Sequence, residues 1–213
     1  MNVLALIDAA TNTLVAHVAE LTALDQAIGD GDHGLNMKRG ALAIQARRDE
    51  LAGKTLNEAL KMAGTTCMAK IGGSSGPVFG TLLVTLAKEL PDQADRIDPP
   101  ALAAALATSI AALTRLGKAE VGQKTLLDVL APVQALLART PPGQPADVVC
   151  AAVAQCALEA AAATAQMDAT RGRASFLGDR ALGHVDPGSR SMALIIAAVC
   201  EQLGNKQTTG TAP

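Results

Sequence analysis

The stretch Leu24-Asp25-Gln26-Ala27-Ile28-Gly29-Asp30-Gly31-Asp32-His33-Gly34-Leu35-Asn36-Met37-Lys38-Arg39-Gly40 decides how this chain is read. Three carboxylates, a histidine and the glycines Gly29, Gly31 and Gly34 are crowded between two apolar helical patterns. Packing gives no reason to bring like charges together, and their repulsion destabilises the turn unless a cation sits among them. Hard divalent ions take oxygen ligands, and magnesium is held by a few carboxylates together with water and phosphate oxygens. The turn therefore reads as a magnesium–phosphate site, with a solvated acidic helix cap as the plain alternative.

Gly29-Asp30-Gly31-Asp32-His33-Gly34 also satisfies G-x-G-x-x-G. A dinucleotide fingerprint needs a strand before it, whereas here an amphipathic helix precedes. Its aspartates repel a pyrophosphate unless metal intervenes. With metal the logic inverts: Asp25, Asp30 and Asp32 bind cations, and the cations bind phosphates. Three carboxylates are enough for two ions. The amides opening the next helix are placed for phosphate oxygens, with His33 and Asn36 as side-chain donors.

Outward from this turn, helical spacing runs through almost the whole chain. Residues 2–24 align Leu4, Ile7, Thr11, Leu14, Val18 and Leu21 on one face. A second helix is expected over Leu35–Glu50. Thr55-Leu56-Asn57-Glu58 is a capping box that opens a third. It ends at Gly72-Gly73-Ser74-Ser75-Gly76, and Pro77 falls in the first turn of a fourth that stops at Pro91. Asp98-Pro99 opens a fifth helix reaching Gly117. A sixth over 123–139 carries Pro132, where a bend is expected. A seventh covers 147–167 and an eighth 189–203. The tail Asn205–Pro213 is polar and expected to be disordered. Eight antiparallel amphipathic helices in an up-and-down barrel or bundle, one all-α domain over 1–204, is the resulting fold.

Composition agrees. Of 213 residues 49% are hydrophobic, yet Phe79 and Phe176 are the only aromatics, which favours aliphatic helices over strands. A net charge of −2 gives no basic footprint for nucleic acid. The four cysteines are widely spread, without zinc spacing, and read as small core hydrophobes of a reducing compartment. The N-terminus has no basic leader and carries Asp8 early. Apolar runs such as Ala101–Leu113 are shorter than a bilayer span. A soluble cytoplasmic protein is expected.

Three further links carry unusual residues. Gly72–Gly76 is suited to an anion-binding nest, although no Lys-Ser/Thr follows as in a Walker loop. Gly117-Lys118-Ala119-Glu120-Val121-Gly122-Gln123-Lys124-Thr125 is polar and glycine-flanked. Asp168–Gly188 is far longer than a normal helix–helix link and holds arginines able to neutralise phosphate. Each alone reads equally as an ordinary connector. If helices alternate up and down, however, all four unusual links fall on one rim, and plain links fall on the other. That coincidence predicts one composite nucleotide site.

Leu24-Asp25 with Gly29–Met37, Gly72–Pro77, Gly117-Lys118-Ala119, Gly172-Arg173-Ala174-Ser175-Phe176-Leu177-Gly178 and Gly183-His184-Val185-Asp186-Pro187-Gly188 resemble the nucleotide-binding L subunit of dihydroxyacetone kinase over about residues 2–203. The resemblance implies ADP or ATP held at one rim by two magnesium ions on Asp25, Asp30 and Asp32. It implies His33, Gly34, Leu35 and Asn36 on the phosphates, and Ser74 and Ser75 on the nucleotide. Gly117, Leu126, Arg173 and Asp186-Pro187-Gly188 would surround base and ribose. It further implies a substrate-binding K subunit that holds the ketone, dihydroxyacetone or a four-carbon ketose, with either a phosphotransferase-system M subunit or free ATP as donor. The bound-ADP, M-subunit arrangement is slightly preferred. Two other readings remain open at this level: a nucleotide-loaded coregulator that docks a transcription factor, and a carrier of an apolar ligand. Oligomeric state, homodimer included, also stays open.

Overall fold

The computed structural model describes residues 2–91 and 97–204, and every regular element among them is helical. The helices are α1 (Val3–Ala16), α2 (Val18–Ile28), α3 (His33–Gln45), the single turn α4 (Arg48–Leu51), α5 (Leu56–Lys70), α6 (Ser75–Glu89), α7 (Pro99–Gly117), α8 (Leu127–Arg139), α9 (Ala146–Ala163) and α10 (Pro187–Gly204). The polar tail Asn205–Pro213 lies outside the described residues.

Several boundaries follow from local chemistry. Both halves of the Thr55/Glu58 capping box are present. Asp98 accepts from the amide of Ala101 at 2.8 Å, with Pro99 at the first helical position of α7. Pro132 lies inside α8 without breaking it.

Three expectations are corrected. The first helix is not continuous: α1 and α2 meet at His17 at a 58° bend and reach Ile28, so Asp25 sits on a helix. The bend lets α2 lean across α10, where Arg190 Nε donates to Glu20 Oε1 at 2.6 Å. The second expected helix begins at His33 rather than Leu35 and gives way to α4. Finally, α7 and the segment Ala146–Gln166 do have the length and mean hydropathy (1.3 and 1.7) of a membrane-crossing helix. Both take part in the helix packing described next, where they bury Leu106 and Leu113, and Val153 and Ala157.

Neighbouring helices pack in the order α1, α3, α5, α6, α7, α8, α9, α10, and α10 packs back on α1, so the order closes on itself. The main hydrophobic cluster, from Leu14 to Cys200, is aliphatic and fills the centre of the described helices. Leu21, Leu51, Leu130 and Leu137 expose 2% or less; each burial of this kind stabilises by roughly 1.5–3 kcal/mol. Phe79 is the one ring in that core, and Phe176 stands 87% exposed.

Asp168–Gly188 is not structureless. It forms a 3-10 turn at Thr164–Gln166 just before it and a 3-10 segment over Arg173–Ala181 that is kinked at Gly178. Ala174 and Ala181 form a second small core with Ile28, at the end of α2. The long link is thus pinned beside the acidic turn.

Candidate nucleotide and metal site

The end of α2, the start of α3 and the turn between them bring Asp25, Asp30 and Asp32 together. One carboxylate oxygen from each lies within 4.8 Å of the others. Asp25 is buried, and its Oδ2 accepts from the amide of His33 at 2.9 Å. That bond ties the turn to the end of α2. Gly29 is required here, since a Cβ on it would fall on Asp25 Oδ1. Gly34 is required by close approach as well: a Cβ there would strike Thr22 Oγ1 and the Val18 carbonyl where α3 crosses α2. The donor set is all oxygen, compact and partly open to solvent, which is what a hard divalent ion takes. The chain's own cation at this corner is Arg173, which ion-pairs with Asp30. A cleft of about 430 Å³ lies beside them, lined by Ile28, Gly29, Asp30, Arg173, Phe176 and Leu177.

His33 joins three of the four unusual links. Its Nδ1 lies 3.2 Å from Ser75 Oγ at the start of α6, and its Nε2 lies 3.1 Å from Ser191 Oγ on α10. Ser191 gives its own proton to the Gly188 carbonyl at 2.9 Å. His33 must therefore donate through Nε2, and Nδ1 accepts from the Ser75 hydroxyl. Burial pushes the imidazole below its usual range; the charges of Asp25 and Asp32 and the Pro187 backbone pull the other way. The neutral ring is the form that this bonding pattern uses.

Asn2, Thr55 and Asp98 cap α1, α5 and α7 with their side chains, whereas α9 starts at Pro145 uncapped. On the rim of the acidic turn, α3 and α6 begin without a side-chain cap. The amides of Gly34, Leu35, Ser75 and Gly76 carry no hydrogen bond among the described residues. Such free amides at two helix N-termini form a natural receptor for phosphate oxygens. Leu35 exposes its side chain, so it can serve such a ligand through its backbone. Asn36 is buried against Gly72, whose Cβ would come within 2.7 Å of the Asn36 Oδ1, so it ties the acidic turn to the second loop.

The remaining residues predicted from sequence lie on the same rim. Ser74 precedes α6, Gly117 ends α7 and Leu126 precedes α8. Asp186 accepts from the amide and hydroxyl of Ser189 at 2.6 and 2.9 Å, capping α10 just ahead of Pro187 and Gly188. Burial pushes the Asp186 carboxyl up to about 6, against the pull of Ser189. Sequence reasoning missed Ser191, Asp128, Thr164 and Lys124, all buried polar groups at this rim. Asp128, a carboxylate set among Leu126, Leu127, Val129 and Leu130, carried a visible signal.

Comparison with known proteins gives the family. Residues 27–201 match the DAK2 domain. The chain belongs to the DAK2 family. This DAK2 chain is 38% identical to the "PEP-dependent dihydroxyacetone kinase 1, ADP-binding subunit DhaL" of Listeria innocua, over 85% of each chain. It is 36% identical to the "PEP-dependent dihydroxyacetone kinase, ADP-binding subunit DhaL" of Escherichia coli, over 83% of this chain and 84% of that one. Among solved structures it superimposes on the dihydroxyacetone kinase of C. freundii in complex with AMP-PNP and Mg2+, with a TM-score of 0.73 and 25% identity. That alignment covers 93% of this DAK2 chain but 33% of the larger kinase.

Proposed function

We propose that this DAK2 chain is the nucleotide-holding subunit of a dihydroxyacetone kinase, a single helical domain over 1–204. It would bind ADP or ATP with two magnesium ions at Asp25, Asp30 and Asp32, and work in the cytoplasm. The observation that carries this reading is the meeting of three carboxylates within 4.8 Å with two uncapped helix starts on one rim. Carboxylates alone repel phosphate; free amides alone do not hold metal. Side by side they suit a metal-bound polyphosphate and little else.

Bound divalent ions supply charge neutralisation for the terminal phosphates. The chain's own residues bind and orient. The amides of Gly34, Leu35, Ser75 and Gly76 hold phosphate oxygens, with His33, Asn36 and Ser74 beside them. Ser75 spends its hydroxyl proton on His33, so it would meet a phosphate through its amide. Gly117, Leu126 and Asp186-Pro187-Gly188 would flank base and ribose, and Arg173, which pairs with Asp30, would be the cation available to the nucleotide if that carboxylate held metal. Phosphoryl transfer depends mostly on positioning and charge, not on a nucleophile from this chain. The acceptor ketone would therefore lie on a separate K subunit facing the rim. A phosphotransferase-system M subunit is the donor that the names of the PEP-dependent relatives favour. Those names also favour a kinase over a coregulator.

Calorimetric titration with ADP, with and without magnesium, tests this. Magnesium-dependent binding is expected. Absent or metal-indifferent binding rejects the reading.

A further inference from the structure

Lys124 is the most unusual side chain in the molecule outside the acidic turn. It exposes 2% of its surface, although lysine is almost never fully buried without a purpose. Its backbone is held at φ 59°, a left-handed conformation that costs a residue with a Cβ. Two strains at one residue persist only when the surroundings over-determine it. The surroundings are the bases of two links. The Lys124 ammonium donates to the carbonyl oxygens of Thr164 at 2.8 Å and Met167 at 3.3 Å, where α9 ends and the long link begins. The Thr164 carbonyl also accepts from the Met167 amide at 3.1 Å, and a cation is favourable at the carbonyl end of a helix.

The knot extends further. Thr164, 0% exposed, accepts through Oγ1 from the Asp186 amide at 3.0 Å. Gly183 donates to the Ala165 carbonyl at 2.8 Å. On the other side, buried Asp128 accepts from the amides of Gly122 and Thr125 and so locks the turn that carries Lys124. The acidic groups around the ammonium are Asp186 and Asp168. One side chain thus ties Gly117–Thr125 to the segment that presents Asp186-Pro187-Gly188. Through Gly188 and Ser191 the same bonds reach His33.

We propose that Lys124 is a positioning residue for the nucleotide: it latches the third and fourth rim links into the arrangement that accepts base and ribose, while the acidic corner stands without it. This rests on the nucleotide reading of the site. Sequence spacing did not single the residue out, since an exposed lysine in a polar turn looks the same.

The test starts with the wild-type chain and Mg·ADP; no binding there overturns the reading of the whole site and this proposal with it. Given binding, Lys124→Met is compared in two titrations. Mg·ADP affinity is expected to fall at least tenfold, while the affinity for Mn2+ alone, read by electron paramagnetic resonance, stays within twofold. A folded variant that binds Mg·ADP as wild type does, or that loses both ligands in proportion, overturns the latch. Should the variant not fold, the wild-type chain decides. Acetylation of Lys124, followed by mass spectrometry, is expected to slow at least fivefold under saturating Mg·ADP, with exposed Lys61 and Lys88 unchanged. An unaltered rate at Lys124 overturns the proposal.

Discussion

His33 Nε2 and Ser191 Oγ lie 3.1 Å apart although 158 positions separate them in the chain. Ser191 Oγ accepts from the Nε2–H and donates its own O–H to the Gly188 carbonyl, so it sets both the tautomer and the tilt of the ring. Ser191→Ala leaves Nε2–H without this acceptor in a buried place. A net hydrogen bond of about 1 kcal/mol corresponds to a three- to tenfold weakening of Mg·ADP binding. Circular dichroism should show unchanged helix content. Unaltered affinity would mean that the ring is held by packing alone.

Asp30→Asn removes one of three like charges from a solvent-facing position. Metal and nucleotide binding should fall at least tenfold, while thermal stability should change little, because the relieved repulsion offsets the loss of the exposed Arg173 pair. Asp25→Asn should behave differently. Its Oδ2 holds the His33 amide inside the fold, so an amide misoriented there costs about 1–3 kcal/mol of stability as well as binding. Paired melting curves and titrations of the two variants check this; equal loss of stability in both would contradict the assignment.

Arg173 is the counter-charge of Asp30 in the structure. Arg173→Gln should therefore tighten binding of Mn2+ alone while weakening Mg·ADP. A variant that weakens both would show that the arginine buttresses the corner and does not compete for it.

Asp186 gives a pH dependence of known sign. Burial is the largest cause of its rise to about 6, and Asp128 adds to it; Ser189 and Lys124 oppose it. A folded-state value above the ordinary one means that the folded chain holds the proton more tightly. The resulting stability is full below the usual carboxylate range and is lost as pH rises through about 6. Asp186→Asn keeps an acceptor for Ser189 and has no charge to desolvate. Relative to wild type its melting temperature should improve between about pH 4 and about pH 7.5. Discounted for the residue's partial exposure, the change is roughly 1–2 kcal/mol. A gap that does not move with pH would refute the burial argument.

Among the described residues, Thr22 Oγ1 is buried without a hydrogen-bond partner where Gly34 crosses it. Thr22→Val removes an unsatisfied hydroxyl at nearly constant shape. The variant should be at least as stable as wild type, by up to about 1 kcal/mol. Gly34→Ala at the same crossing should lose about 1–3 kcal/mol through overpacking. Urea unfolding of both variants tests the pair, and a destabilised Thr22→Val would point to an unrecognised partner for the hydroxyl.

Much of this architecture was legible in the chain because the signals are local. A capping box, an Asp-Pro helix start and three-to-four spacing of leucines act within one or two turns, and Thr55, Asp98 and Leu106 behave as their neighbours dictate. The acidic turn was legible because crowded like charge has few physical excuses. The break at His17 was not: no glycine or proline marks it, and the bend serves packing of α2 on α10, a contact 170 residues away at Glu20 and Arg190. The burial of Lys124 was equally silent, since its acceptors are backbone carbonyls that any sequence carries. The long link looked like open loop because Ala174 and Ala181 are too small and too far apart to announce a core, and their third member, Ile28, belongs to α2.

The hydrophobic core is aliphatic apart from Phe79, and the chain carries no tryptophan or tyrosine. Such a protein is close to transparent in the near ultraviolet. Any purine that accompanies it through purification would dominate its absorption spectrum, so an ordinary wavelength scan of the fresh preparation already reports whether the rim arrives loaded.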